Sequence, residues 1–271
     1  MKLINRIIII FLITIIIASL LFGNTRTNIE SFQNDSFSFD IFMINMDKDK
    51  DRQANFFSAY SKSDFSDKKI NRFSAIVGKN ENPSKWLTSD SITKLQQIEK
   101  TGYRTHHHDI TRGGLGCFLS HYNLAKQLLR DDKIDAYLIF EDDTTVLPFT
   151  YNKIKESLKY LPNDWDYVLF YTIRAVGRKE NNFFNILKSF WGMNCYIINK
   201  TGAKKLVDEV EKNKIDGQID CYLSKMIQQN KIKIYASNGN YVSCNSKDTN
   251  IQTILKQVKG VDPYNYHGYQ M

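Results

Sequence analysis

Apolar positions along this chain fall into two kinds of segment that alternate. Short continuous apolar runs at 41–46, 70–76, 136–140, 166–171, 194–198 and 232–236 predict buried strands. Between them, apolar residues recur at helical spacing. The clearest case is 116–130, where Phe118, Tyr122, Ala125 and Leu129 share one face and Cys117, His121, Leu124 and Leu128 lie alongside. A charged turn over 47–52 leads into a helix ending near Tyr60. Further helices are predicted over 151–160, over 201–212 with Thr201 as N-cap, and over 217–229. Residues 78–112 lack clean periodicity apart from a short helix at 92–100, and so long a segment reads as a lid or acceptor loop. The tail from Ser237 is polar and aromatic, and is expected to order only against a ligand or partner. Alternating strands and helices predict an α/β fold with a mostly parallel sheet.

The N-terminus follows neither period. After Lys2 and Arg6, residues 7–22 carry no charge. With Leu3 and Ile4 the apolar run approaches the roughly 20 residues that span a bilayer. It exceeds the apolar region of a cleaved signal peptide, about 7–15 residues, and Ala18-Ser19-Leu20 is a poor cleavage site. Residues 1–23 are therefore expected to form a single-pass signal anchor, a transmembrane helix with its N-terminus cytosolic. The rest of the chain would lie on the far side of the membrane. Cleavage of the segment would instead give a secreted protein. Residues 24–40 read as a Ser- and Asn-rich stem, and 41–271 as one large domain.

The strand at 136–140 runs directly into Glu141-Asp142-Asp143. Carboxylates packed together repel, and hold protons unless a cation compensates them. Hard oxygen ligands suit Mg²⁺ or Mn²⁺, and ligands bind at the ends of strands in open α/β sheets. The pattern points to a metal-assisted enzyme acting on a phosphorylated or nucleotide-linked substrate. Acidic residues after a strand also serve as helix caps or solvated loops, so the trio alone does not decide. The Asp-x-Asp-x-Thr pattern of haloacid-dehalogenase-type phosphatases is met only as Glu141-x-Asp143-x-Thr145. Glu in the nucleophile's place, and a position far from the start of the domain, set that reading aside.

Composition changes this picture little. A chain of 271 residues, 42% hydrophobic and 24% charged, is large enough for one well-formed core. The net charge of +8 is scattered, and no nucleic-acid-binding motif is present. A diffuse positive field would attract an anionic nucleotide or a membrane surface. Four cysteines show no zinc spacing. Cys117 and Cys221 fall in predicted helices and are expected to be small buried hydrophobes. His106, His107 and His108 precede Asp109. Adjacent histidines in a loop cannot easily all face one ion, so a solvated loop is expected there.

Six segments, in order, resemble glycosyltransferase family 25, which includes lipopolysaccharide glycosyltransferases and collagen galactosyltransferases. They are Ile44-Asn45-Met46-Asp47 with Arg52; Arg72-Phe73-Ser74-Ala75-Ile76; Gly116-Cys117-Phe118-Leu119-Ser120-His121; and Ile139-Phe140-Glu141-Asp142-Asp143. Downstream come Asn194-Cys195-Tyr196-Ile197-Ile198 with Thr201-Gly202-Ala203, and Ile219-Asp220-Cys221-Tyr222-Leu223. Gly114 is a departure, since the family often carries Glu there.

The resemblance implies a GT-A-like nucleotide-sugar-binding domain over 41–271, and a metal-dependent inverting transfer from a nucleotide-sugar donor to a glycan, lipid-linked glycan or protein hydroxyl. Mn²⁺ is the expected cofactor, with Mg²⁺ as the alternative. Asp143 is the expected metal ligand, supported by Asp142, and Glu141 would orient the ribose or the sugar. Asn45, Asp47 and Arg52 follow the first strand, where a nucleotide would sit. His121 shares a helix face with apolar residues, and a structural role beside the donor pocket is expected. Inversion needs a base for the acceptor hydroxyl. Asp220, beside the apolar face of Ile219, Tyr222, Leu223 and Met226, is the candidate, with Asp216 second. A catalytically degenerate homologue that binds glycans or nucleotide sugars, and a metal-dependent sugar-nucleotide hydrolase, are the alternatives.

Overall fold

In the computed structural model, residues 37–245 and the strand Ile254–Leu255 are described. The predicted anchor and nearly all of the stem lie outside the described residues. Among those residues no helix is long and apolar enough to cross a membrane. The elements in chain order are β1 (Phe39–Asn45), α1 (Lys50–Tyr60), β2 (Asn71–Ser74), α2 (Pro83–Trp86), α3 (Ser89–Thr101), β3 (Tyr103–Arg104) and α4 (Arg112–Arg130). Then come β4 (Ala136–Glu141), β5 (Thr144–Val146), α5 (Thr150–Leu158), β6 (Tyr167–Leu169), β7 (Arg174–Lys179) and β8 (Phe184–Trp191). The last are β9 (Cys195–Asn199), α6 (Lys200–Asn213), α7 (Ile219–Gln228), β10 (Ile234–Ser237), β11 (Val242–Cys244) and β12 (Ile254–Leu255).

Eight strands form one sheet in the order β2-β1-β4-β9-β6-β10-β8-β7. Successive side chains of a strand point to opposite faces, so a strand apolar at every position must be covered on both sides. Ile41, Met43, Leu138, Phe140 and Ile197 pack on one face with Phe56 and Tyr60 of α1 and Ile154 and Leu158 of α5. Phe42, Ile44, Tyr137, Ile139, Tyr196 and Ile198 pack on the other with α4, α6 and α7. The result is a three-layer α/β sandwich around two cores.

The sheet is mixed, which corrects the expectation of a mostly parallel one. β2, β1 and β4 run parallel, as do β6 and β10. β9 runs antiparallel to both of its neighbours, β4 and β6. β8 is antiparallel to β10 and forms a hairpin with β7. Apolar runs report burial on both faces and carry no direction. The hairpin escaped prediction because β7 is largely exposed and basic, with Arg174, Arg178 and Lys179 along a sheet edge. A bulge at Val176/Gly177 interrupts its register. Charge and a bulge are how edge strands avoid adding foreign strands.

Local corrections follow from capping. Residues 78–112 are mostly helical rather than a loop. Asn82 caps α2, Thr88 caps α3, and Gly102 ends α3 with a left-handed φ of 76°. α4 begins one turn earlier than its apolar stripe, because the Thr111 hydroxyl accepts a hydrogen bond from the Gly114 N–H at 2.9 Å. α6 is capped by Asn199, whose side chain accepts from the Gly202 N–H at 2.8 Å, and not by Thr201. Past Ser237, β11 pairs with β5 and β12 with β3, so these parts of the tail are placed by the chain itself. Cys221 is only half-buried, Cys117 is partly exposed as a residue although its thiol is enclosed, and the four cysteines are free.

The first turns of α4 lie against the 3₁₀ turn Gly78–Asn80. A Cβ on Gly116 would stand 2.4 Å from the Ile76 carbonyl oxygen, and one on Gly78 would stand 1.9 Å from that of Arg112. Gly→Ala inside a free helix stabilises it by up to about 1 kcal/mol. Here the sign should reverse. Gly116→Ala is expected to destabilise the fold by about 1–3 kcal/mol through overpacking against backbone. Urea denaturation would check this, and a neutral or stabilising result would mean that α4 can shift freely.

Candidate active site

β1 and β4 are parallel neighbours, so their C-terminal ends open at the same edge of the sheet. Ile44 is in register with Glu141, and the next residues, Asn45 and Asp142, meet there. The Asn45 amide donates to Asp142 Oδ2 at 2.7 Å and to the Asp49 carbonyl at 3.1 Å. Arg72, from β2, donates to the Asn45 side-chain oxygen at 3.0 Å and to its carbonyl at 3.1 Å. It also pairs with Asp47 at 2.5 Å, and this contact holds the exposed Asp47 carboxyl below its usual range. Arg52, from the first turn of α1, reaches Asp142 Oδ1 at 2.8 Å and Asp143 Oδ2 at 3.3 Å.

The third support comes from outside these strands. Asn194, just before β9, donates from its amide to Asp143 Oδ1 at 2.7 Å and to Glu141 Oε2 at 3.3 Å. Its carbonyl accepts from the Glu141 N–H at 2.8 Å and the Thr144 hydroxyl at 2.9 Å. His121 lies on the opposite side of Glu141's reach. Its Nε2 is 3.3 Å from Glu141 Oε1, and its Nδ1 is 2.8 Å from the Tyr196 hydroxyl. Ser120 is fully buried. Its hydroxyl accepts from the Ile76 N–H at 2.9 Å and donates to the Gly116 carbonyl at 2.7 Å, tying α4 to the strand edge.

The carboxylates and several of the groups around them line one cavity of about 640 Å³. Asn45, Asp47, Arg52, Glu141, Asp142 and Asp143 are all in its wall, so the structure brings together every strand-end residue singled out from the sequence. Lys48, Lys79 and Arg112 line it as well, together with Cys117, Ser120 and His121. Burial pushes the Asp143 carboxyl up to about 6, reinforced by Glu141 and opposed by Asn194 and Arg52. Burial also raises Asp142, against Asn45 and Arg52. The Cys117 thiol is pushed well up by burial and by Glu141, which makes it a poor nucleophile. Five residues of the site carry no role in the sequence reading: Arg72, Asn194, Lys48, Lys79 and Arg112. Arg72 and Asn194 lie in segments that resemble the family, which is the one signal that could have found them, and the three cations look like ordinary surface residues.

Asp220 stands apart from this wall. It lies half-buried in the first turn of α7, where Oδ2 accepts from the Gly192 N–H at 3.1 Å and Oδ1 from the Cys221 N–H at 2.8 Å. It is close enough to raise the Cys117 thiol and to oppose the lowering of His107. Asp216 is bonded to the Lys225 ammonium.

The family model described as Glycosyltransferase family 25 (LPS biosynthesis protein) matches residues 39–223, from the first residue of β1 into α7. The chain belongs to glycosyltransferase family 25. This family 25 member is 28% identical over 218 residues to Procollagen galactosyltransferase 1 of Danio rerio, covering 76% of this chain and 34% of that protein. It is 31% identical over 189 residues to Procollagen galactosyltransferase 2 of Homo sapiens, covering 64% and 28%. It is 27% identical over 177 residues to the Glycosyltransferase 25 family member of Drosophila melanogaster, covering 62% and 27%. The chain spans about a third of the length of the curated relatives it matches.

The raised Asp143 carboxyl gives a pH test of the carboxylate cluster. Asp143 keeps its proton to a higher pH in the fold than in the unfolded chain. The stability it contributes is therefore full below about 3.9 and is lost as pH rises toward about 6. A shift of that size corresponds to at most about 3 kcal/mol. Asp143→Asn should raise the melting temperature at pH 7 in chelator, and flatten its decline between about pH 4 and 6. Thermal melts across that range check it. An unchanged pH profile would show that Asp143 ionises without penalty.

Proposed function

We propose that this chain is a metal-dependent, inverting glycosyltransferase of GT-A-like architecture. Its donor is a sugar on a nucleoside diphosphate, and its acceptor a hydroxyl of a glycan, lipid-linked glycan or protein. The observation that carries this is the composition of one cavity wall. A strand-end trio of carboxylates shares one cavity of about 640 Å³ with Arg52, Lys48, Lys79 and Arg112, the last paired with Glu99 at 2.6 Å, and the volume suits a nucleotide-sized ligand.

Carboxylate oxygens suit a hard divalent cation, and one entering here would displace Arg52 from the Asp142 and Asp143 oxygens that it now bridges. Arg52 brings one positive charge against three carboxylates, and Asp143 is buried with its charge incompletely offset. Asp143 and Asp142 would hold the ion, Mn²⁺ with Mg²⁺ as the alternative. Such an ion, when bound, supplies positive charge where the departing diphosphate gathers negative charge. The chain's own cations act in the same direction: Lys48, Lys79 and Arg112 draw in and align the diphosphate. The N-terminus of α4, with Arg112 and Gly113 in the cavity wall, adds the positive end of its dipole. Asn45, Asp47 and Arg52 position the nucleoside. Glu141, held between Asn194 and His121, orients the ribose or the sugar. Asp220 takes the acceptor proton. Its neighbour Asp216 is the second choice, because its carboxylate is already bonded to the Lys225 ammonium.

The names of the relatives make galactose the first sugar to try, with collagen-type peptides and lipopolysaccharide-type glycans as acceptors. Asp143→Ala should fold and lose turnover, and chelation should silence the unaltered enzyme until Mn²⁺ is restored. Transfer at near-normal rates in chelator would rule out metal dependence. Sugar release that ignores every acceptor tried would favour the hydrolase reading.

Asp220→Asn should lower the turnover number by about 10²–10⁴-fold, the usual contribution of a general base. Donor affinity by calorimetry should change little, because the loss falls on the transition state. A variant whose only defect is donor binding would move the base to another carboxylate. Membrane attachment rests on the charge pattern of residues 1–23 alone. It predicts full-length protein in the carbonate-resistant membrane fraction, and recovery in the soluble fraction would refute it.

A further inference from the structure

We propose that His106, His108 and Asp109 form a second metal site, built for Zn²⁺ and separate from the carboxylate cluster. The segment between β3 and α4 folds into a tight turn, in which the Asp109 N–H donates to the His106 carbonyl at 3.1 Å. The His106 N–H in turn donates to Asp109 Oδ2 at 2.7 Å. The turn sorts the three consecutive histidines. His107 swings away and stacks on Trp191, with ring centres 4.8 Å apart and planes 7° apart. The His106 and His108 rings stay together, 5.1 Å apart, over the Asp109 carboxylate. The difficulty that three adjacent histidines cannot face one ion is thus resolved: two of them can.

The distances suit an ion. His106 Nδ1 is 3.5 Å from Asp109 Oδ2, and His108 Nε2 is 3.7 Å from Asp109 Oδ1. One ligand atom from each of the three residues lies within 4.8 Å of the others. Zinc–ligand bonds of about 2.0–2.2 Å at tetrahedral angles place neighbouring ligand atoms about 3.4 Å apart. Asp109 supplies the independent sign of a missing partner. Its side chain is 2% exposed, yet Oδ1 makes no hydrogen bond. A buried, unsatisfied carboxylate oxygen is costly and calls for a cation.

The nearby lysine offsets this oxygen only by a long ion pair. Lys94 Nζ stands 3.9 Å from Oδ1 and is engaged by Asp90 at 2.7 Å. Asp216 adds negative potential at His108 and Lys94. His106, 53% exposed, leaves the open side of the site to solvent. Two imidazoles and one carboxylate form a softer set than the all-oxygen trio, which separates a zinc site from a manganese or magnesium site. The position gives the ion a task. Gln218, the residue before α7, bonds to the His108 carbonyl through its N–H at 3.1 Å and to the Asp109 carbonyl through its amide at 3.3 Å. Thr111, two residues on, caps α4. Zinc here would pin one loop to the start of both helices.

The test uses tag-free full-length protein, stripped with chelator and titrated calorimetrically with Zn²⁺ in excess Mg²⁺. The Co²⁺-loaded form is read in parallel by its visible absorption. The unaltered chain should bind one Zn²⁺, and His106→Ala or His108→Ala should weaken binding by more than about tenfold. His107→Ala and Asp143→Asn should bind as the unaltered chain does. Because His106 is exposed, His106→Ala should keep the zinc-free melting temperature and lose the rise that Zn²⁺ gives. Zinc binding that survives His106→Ala overturns the proposal. So does binding that disappears in Asp143→Asn or falls equally in His107→Ala. No readout depends on glycosyl transfer, so its failure and that of the proposed activity are separable.

Discussion

Repulsion among Glu141, Asp142 and Asp143 is the constraint around which the cleft is built. Three carboxylates on consecutive residues cannot be brought to the end of a buried strand without partners. The fold supplies those partners from three directions: Asn45 from the end of β1, Arg52 from α1, and Asn194 from the start of β9. Each partner is itself held. Arg72 grips Asn45 at two atoms, and the Asn194 backbone receives hydrogen bonds from Glu141 and Thr144. Compensation remains partial, as the raised Asp143 carboxyl shows.

The antiparallel course of β9 is what makes this arrangement available. Phe140, near the end of β4, is in register with Cys195, the first residue of β9. The beginning of β9 therefore meets the end of β4, and Asn194 arrives at the carboxylates directly from the preceding loop. A parallel neighbour would have presented its own C-terminal end there, with a different loop. The reversal that the apolar pattern did not reveal is thus a functional feature of the sheet.

Much of the frame was legible in the sequence because it rests on burial. The runs at β1, β4, β6 and β9 are apolar on both faces, and the stripe of α4 repeats at helical spacing. Glu141, Asp142 and Asp143 could be named because charged groups next to a buried strand need a reason, whereas Asn45, Asp47 and Arg52 were named through the family resemblance. What escaped lacked such a signal. β7 is an exposed edge strand, and β5 and β11 are too short for a period to register. Residues 78–112 are organised by caps at Asn82 and Thr88 and by Gly102, and capping residues look like loop residues until the helix is seen. Asn194 carries no charge and sits at a strand boundary, where asparagine is commonplace.

The contact of Gly78 with Gly116 bears on how such a cleft can diversify. Backbone meets backbone there with no room for a side chain. The start of α4, the Gly78 turn and the Ile76 edge therefore move together or not at all. Change in this cleft is open only where side chains rather than backbone form the wall, as at Lys48 and Arg52. One wall of the cavity is frozen by geometry, and the rest is left to evolutionary trial.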